Sequence, residues 1–154
     1  MTTAPSKIGL GGGCHWCTEG VFESLMGVTK VNQGWIASIA ENSNFSEAVE
    51  VFFDPAVISL EALIEIHLYT HASRSNHSMR GKYRSAIYTY NDTQFKQASA
   101  ILNLLRADFE ATIITQVYEF KVLNKIKLSC RTTFMQRLTD RFANAMFNQN
   151  FNYY

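Results

Sequence analysis

Apolar residues recur along this chain with two periods, and the switches between them outline a succession of strands and helices. Ile8 to Leu10 reads as a short strand running into Gly11-Gly12-Gly13. From about Trp16 to Met26 the period is helical, with Phe22, Leu25 and Met26 on one face and Glu19 and Glu23 on another. Val28 to Trp35 reads as a strand, and Ala40 to Asn44 as a polar loop. Glu47 to Phe53 is a strand ended by Asp54-Pro55. Strand side chains alternate, so Glu47 shares a face with Val49, Val51 and Phe53, while Glu50 faces the other way with Ala48 and Phe52. Ser59 is placed to cap a helix running to about Thr70, with Ile58 and Leu63 at the positions of a hydrophobic staple. Ala72 to Lys82 follows as a polar loop, and Tyr83 to Tyr90 as a strand of aromatic and β-branched residues. Thr93 is expected to cap a helix whose core face is Ala98, Ile101, Leu102, Leu105 and Phe109. Ile113 to Leu123 reads as one further strand, and the tail Lys125 to Tyr154 is irregular. The alternation predicts an α/β (α+β) fold, with a mixed, largely antiparallel sheet flanked by helices.

Composition narrows this picture only modestly. At 154 residues the chain is expected to form one domain, residues 1–154, with an ordinary 47% of hydrophobic and 18% of charged residues. A net charge of +1 removes any general electrostatic case for nucleic acid or an anionic membrane. No apolar run approaches the roughly 20 residues that span a bilayer, and Met1 to Lys7 lacks the apolar core of a signal peptide. A cytoplasmic location is the resulting expectation. The three cysteines are an odd number, two of them three positions apart, which argues against a secreted disulfide framework and for redox or metal chemistry.

Candidate chemistry centres on Cys14, which follows the glycines and opens the first helix together with His15, Trp16 and Cys17. A helix N-terminus favours a thiolate, the reactive form of cysteine. Cys17 is then a partner for exchange; the plainer reading makes both residues small buried hydrophobes. Zinc would need further ligands, and Cys130, His67, His71 and His77 show no paired spacing that matches a structural site. His67 and His71 share one helix face without the His-Glu-x-x-His pattern, and read as partly buried polar groups or a pocket wall. Glu47 lies on an apolar strand face, where burial opposes ionisation and suits a carboxyl to general acid work; otherwise it reaches solvent from the strand's end. Trp16, Trp35 and Tyr83 are candidate pocket walls, although each taken alone is more often core.

Three blocks in order carry a family resemblance: Gly12-Gly13-Cys14-His15-Trp16, Ser46 to Pro55, and Lys82-Tyr83-Arg84-Ser85-Ala86-Ile87-Tyr88. Together with Val28 to Val31 and the helix from Leu60 to His71, the chain over roughly 8–123 resembles the type A peptide methionine sulfoxide reductases. That resemblance implies a reductase of methionine (S)-sulfoxide, with Cys14 as nucleophile and Glu47 as proton donor. It puts Tyr83 on the sulfoxide oxygen, and Trp16, with His15 and Trp35, around the substrate. It further implies a Cys14 sulfenic acid, resolution as a disulfide and recycling by thioredoxin or a similar dithiol, in a monomer without metal or organic cofactor. The chain departs from the family at His15, usually Phe, at Cys17, usually Gly, and at Trp35, where a pocket tyrosine is usual. The family's acidic residue before the Tyr83 strand is absent, and Asn76, His77 and Ser78 are the polar groups offered in its place. Ala143 falls near the family's tail cysteine and Cys130 comes earlier, which leaves Cys17 as the expected resolving thiol. Two other readings stand beside this one. The Cys-x-x-Cys spacing suits a general thiol–disulfide oxidoreductase, although Pro5 and Pro55 do not supply that class's later proline. The missing acid and altered tail suit a weakly active homologue that binds oxidised methionine.

Overall fold

A curled six-stranded sheet in the order β5-β4-β1-β3-β2-β6 carries the chain in the computed structural model, which describes residues 5–125. β1 (Ser6–Gly11) pairs antiparallel with β3 (Ser46–Phe53), setting Leu10 opposite Val49 and Gly11 opposite Ala48. β2 (Val28–Ala37) flanks β3 with Trp35 opposite Glu47, and β4 (Ala86–Thr89) flanks β1. β5 (Gln116–Glu119) is parallel to β4, and β6 (Val122–Lys125) is antiparallel to β2. The sheet is mixed and largely antiparallel, as the alternation of periods predicts.

The single strand expected over Ile113 to Leu123 is two strands on opposite edges of the sheet. Only Phe120 and Lys121 separate them, and three Cα steps reach at most about 11 Å, so the sheet must curl until its edges meet. The seam is hydrogen-bonded: Phe120 N–H donates to Thr89 O (2.8 Å), Lys121 N–H to Ala37 O (3.1 Å) and Ser38 Oγ to Glu119 O (2.6 Å). Small residues on the face away from the helices permit the curl. A Cβ on Gly9 would come within 2.8 Å of Tyr88 Cβ and 3.0 Å of Ile36 Cδ1. Tyr88, Ile36, Ala48 and Ala86 fill that inner face, against Tyr118, Phe120 and Leu123.

The other face carries the larger core. Ile8, Leu10, Val31, Val49, Val51 and Phe53 meet Phe22 of α1 (His15–Glu23), Leu63, Ile64 and Leu68 of α2 (Leu60–Thr70), and Ala98, Leu102 and Leu105 of α3 (Asp92–Arg106). Ser59 caps α2, accepting the Ala62 N–H at 3.0 Å, and Ile58 packs on the same core as Leu63. Three expectations need correction. α1 stops at Glu23 because the chain turns at Gly27, φ +95°, to enter β2; Met26 is left exposed while Glu19 is buried. α3 is capped by Asn91 rather than Thr93. Asn91 accepts the Gln94 N–H at 2.8 Å, and Gln94 Oε1 reaches back to accept the N–H of Tyr90, the residue before the cap, at 3.0 Å. The strand expected from Tyr83 begins at Ala86, and the preceding loop contains a 3₁₀ turn, Ser78–Gly81, so Tyr83 lies on a connection. Among the described residues no helix is long and apolar enough to cross a membrane. The expected irregular tail, with Cys130, lies outside the described residues.

Candidate active site

Where β1 ends, Gly12 takes φ +147°, a conformation that side-chain-bearing residues rarely adopt. A Cβ there would also run into the ring of His71. Cys14 follows as the N-cap of α1 and is exposed; its carbonyl accepts the Thr18 N–H at 3.1 Å, while its sulfur caps no backbone N–H. The sulfur therefore stands at the positive end of the helix without being consumed by it. Cys17 lies three residues on, one helical turn away on the same side. Burial pushes the Cys17 thiol up, reinforced by the charge of Cys14 and by a hydrogen bond to Cys14. Cys17, like Cys14, is exposed.

Glu47 is only 7% exposed, on the helix-facing side of β3 with Val49, Val51 and Phe53. Because Gly11 pairs with Ala48, Glu47 lies at the end of the sheet where the chain leaves β1 for Cys14. α1 packs over β2 and β3, the same side toward which Glu47 points. Trp35, opposite Glu47 and half-buried, puts its side chain beside the carboxylate, as directly paired residues do. Trp16, half-buried, stands in the first turn of α1, which His15 opens.

Lys82 joins Glu47 to Tyr83. Its ammonium lies 3.5 Å from Glu47 Oε1 and 5.1 Å from the Tyr83 ring centre. Hydrogen bonding and charge from Tyr83, then the charge of Glu47, hold this lysine above its ordinary range. The backbone repeats the link, Glu47 N–H donating to Lys82 O at 2.8 Å. Ser46 Oγ donates to the same carbonyl at 2.8 Å and accepts the Arg84 N–H at 2.6 Å. Tyr83 is thereby pinned next to Glu47 from both sides. Ser46 and Lys82 open two of the resemblance blocks, yet the sequence assigns neither a role, since nothing local distinguishes the contacts of a strand-end serine or a loop lysine. Of the polar groups offered by Asn76, His77 and Ser78, the structure gives a side-chain role to His77. His77 caps the 3₁₀ turn through Met79 N–H, whereas Arg80 and Lys82 are the side chains that reach toward the site.

Beneath the glycine bend lies a histidine pair. His67 is buried, with Nε2 2.8 Å from Gly11 O. His71 bonds His67 O through Nδ1 and Ser85 Oγ through Nε2 (2.8 Å), and Ser85 continues to Thr115 Oγ1 at 2.7 Å. The rings stack at 4.1 Å. Burial, then the neighbouring His71, pushes His67 well below its ordinary value, and burial takes His71 down to about 4. They are neutral structural groups, and among the described residues no cluster of His, Cys, Asp and Glu is arranged to hold a metal. Since both pKa values are depressed in the fold, the unfolded chain takes up protons first as pH drops below about 6.5. Stability is therefore complete above that pH and falls by about 1.4 kcal/mol per unit for His71 down toward pH 4, with His67 adding in the same direction. Urea midpoints at pH 7 and pH 5 are expected to differ accordingly, with a smaller gap in His71→Gln; equal gaps in the two proteins would contradict the assignment.

Comparison with known proteins extends this geometry. A family model for peptide methionine sulfoxide reductase matches residues 6–129. The peptide methionine sulfoxide reductase MsrA of Ralstonia nicotianae is 35% identical over 126 residues, covering 71% of this chain and 66% of that protein, just under two thirds of its length. The MsrA of Sulfolobus acidocaldarius is 32% identical over 126 residues, covering 73% of this chain and 72% of that protein. Among solved structures, Mxr1 from Saccharomyces cerevisiae in an unusual oxidized form has a TM-score of 0.68 at 20% identity, over 77% of this chain and 74% of that one. Mxr1 in complex with Trx2 has a TM-score of 0.64 at 18% identity, over 80% of this chain and 81% of that one. At such identities the solved structures speak for the fold.

Proposed function

The chain belongs to the peptide methionine sulfoxide reductase family, and from that premise we propose that it reduces methionine (S)-sulfoxide to methionine with its own thiols. The observation that carries the reading is an exposed N-cap sulfur with a second exposed thiol three residues on, at the same end of the sheet as a buried carboxylate. In this mechanism the Cys14 thiolate attacks the sulfoxide sulfur. Glu47 gives a proton to the oxygen, with the Tyr83 hydroxyl as a further donor. Trp16, His15 and Trp35 surround the substrate. The sulfur–oxygen bond breaks, methionine leaves, and the oxygen stays on Cys14 as a sulfenic acid. The Cys17 thiol attacks that sulfur, water departs, and a Cys14–Cys17 disulfide forms. A thioredoxin-class dithiol then takes up the oxidation by thiol–disulfide exchange. Thiols supply both electrons, so the scheme calls for no metal or organic cofactor. On this reading the chain works as a single-domain monomer over 1–154 in the reducing cytoplasm, where an odd cysteine set is kept reduced.

The direct test is dithiothreitol-driven reduction of resolved S and R methionine sulfoxide. Activity confined to the S form supports the assignment, and no methionine from either sinks it. Cys17→Ser is expected to release methionine normally in a single turnover, and then to lose most of its steady-state rate with thioredoxin. Unchanged turnover with thioredoxin would transfer the resolving role to Cys130 or to an external thiol.

A further inference from the structure

Gly11-Gly12-Gly13 is a poor mount for a nucleophile, because consecutive glycines leave the backbone free to wander. Something outside the bend must fix it. Arg80, on the 3₁₀ turn Ser78–Gly81, reaches across to do so. Its Nη1 donates to Gly12 O and to Tyr83 O, each at 2.8 Å. Its Nη2 donates to Ala72 O at 2.5 Å and its Nε to Ser75 O at 2.8 Å. One guanidinium thus holds four carbonyls from three stretches of chain. Two of these carbonyls belong to residues that matter for the reaction: Gly12, two positions before Cys14, and Tyr83 itself. Among the described residues no carboxylate pairs with Arg80. Its hydrogen-bonding capacity is directed at backbone, and bonds from a charged donor are the stronger kind. The ring of His71 packs against Gly12, so the bend is confined by a side chain as well as held by the clamp.

We propose that Arg80 is a positioning residue for the reaction, a clamp that sets the distance between the Cys14 sulfur and the Tyr83 hydroxyl by gripping the Gly12 and Tyr83 carbonyls with one nitrogen. The proposal rests on the reductase reading for its catalytic consequence, but the clamp itself is a matter of backbone order. Lysine keeps the charge and loses the fork, because one ammonium does not span four carbonyls. A displacement of about 1 Å between reacting groups costs on the order of 10²-fold in rate.

The test uses the full chain as wild type, Arg80→Lys and Arg80→Ala. First-turnover methionine formation is expected to slow about 10- to 100-fold in both variants. KM should stay within about threefold, because the clamp does not touch substrate. Combining Arg80→Lys with Tyr83→Phe is expected to cost less than the product of the two single effects, since both act through the same hydroxyl. Amide exchange followed by mass spectrometry should quicken around Gly12 to Cys14 and around Tyr83 and Arg84, and stay unchanged in β2. Folded variants with unaltered exchange at both segments overturn the clamp, as does a raised KM at unaltered kcat. Should Arg80→Ala prove unfolded by circular dichroism, Arg80→Lys decides on the same readouts. A wild type that forms no methionine defeats the reductase reading, and the exchange comparison then decides the clamp on its own.

Discussion

Cys14→Ser is expected to reduce methionine formation from the S sulfoxide to the uncatalysed background, with the fold intact. The residue is exposed at the N-cap and its sulfur supports no backbone hydrogen bond, so exchanging sulfur for oxygen removes little from stability. What it removes is the thiol that the mechanism uses to take the oxygen. A serine hydroxyl is a weak nucleophile without an adjacent base. Cys17 is no substitute, because it lies within the first turn of α1 rather than at the N-cap where the Cys14 sulfur stands. Chromatographic measurement of methionine under excess dithiothreitol checks this, with circular dichroism to verify folding. Sustained methionine release by Cys14→Ser would mean that Cys17 or another group is the nucleophile, and the mechanism would have to be redrawn around it.

Glu47→Gln carries the second large effect. Glutamine keeps the size of the side chain and its hydrogen bonding, so the packing beside Trp35 survives. Lys82, 3.5 Å from the Glu47 carboxyl, is exposed and stays solvated without it. The missing element is a donatable proton. General acid help is usually worth about 10²–10⁴-fold, or roughly 3–5 kcal/mol in the barrier, and first-turnover methionine release should slow by that factor. A thermal midpoint close to wild type should accompany it. Slowing of less than about tenfold would move the donor role to Tyr83.

These two residues differ in how readily the sequence exposes them. Cys14 is marked by local features alone: a glycine bend, a second cysteine and the start of a helical period. Glu47 is marked by strand alternation, which puts it on the apolar face; whether it reaches solvent from there was open until the fold showed it 7% exposed beneath the α1 side of the sheet. Lys82 and Ser46 are marked only as the first residues of motif blocks, and Arg80 carries no local mark. Their importance comes from partners 36, 38 and 68 positions away along the chain, and no periodic pattern encodes those separations.

Patterning on its own established the elements that bury one face. The strand Glu47 to Phe53 with its two-sided alternation, and α2 with its Ser59 cap, follow from side chains that neighbours in sequence arrange. Tertiary structure alone decided that Ile113 to Leu123 is two strands on opposite edges. No glycine or proline breaks the stretch, and only the closing of the sheet makes the chain change edges at Phe120 and Lys121. It likewise decided that Glu19 is buried and Met26 exposed, because the turn at Gly27 ends the helix before its period does. Local chemistry and periodicity act over a few residues and can be read one segment at a time. Edge closure, helix ends and the grip of one arginine on distant carbonyls are set by which segments meet, and that is settled only when the whole chain has folded.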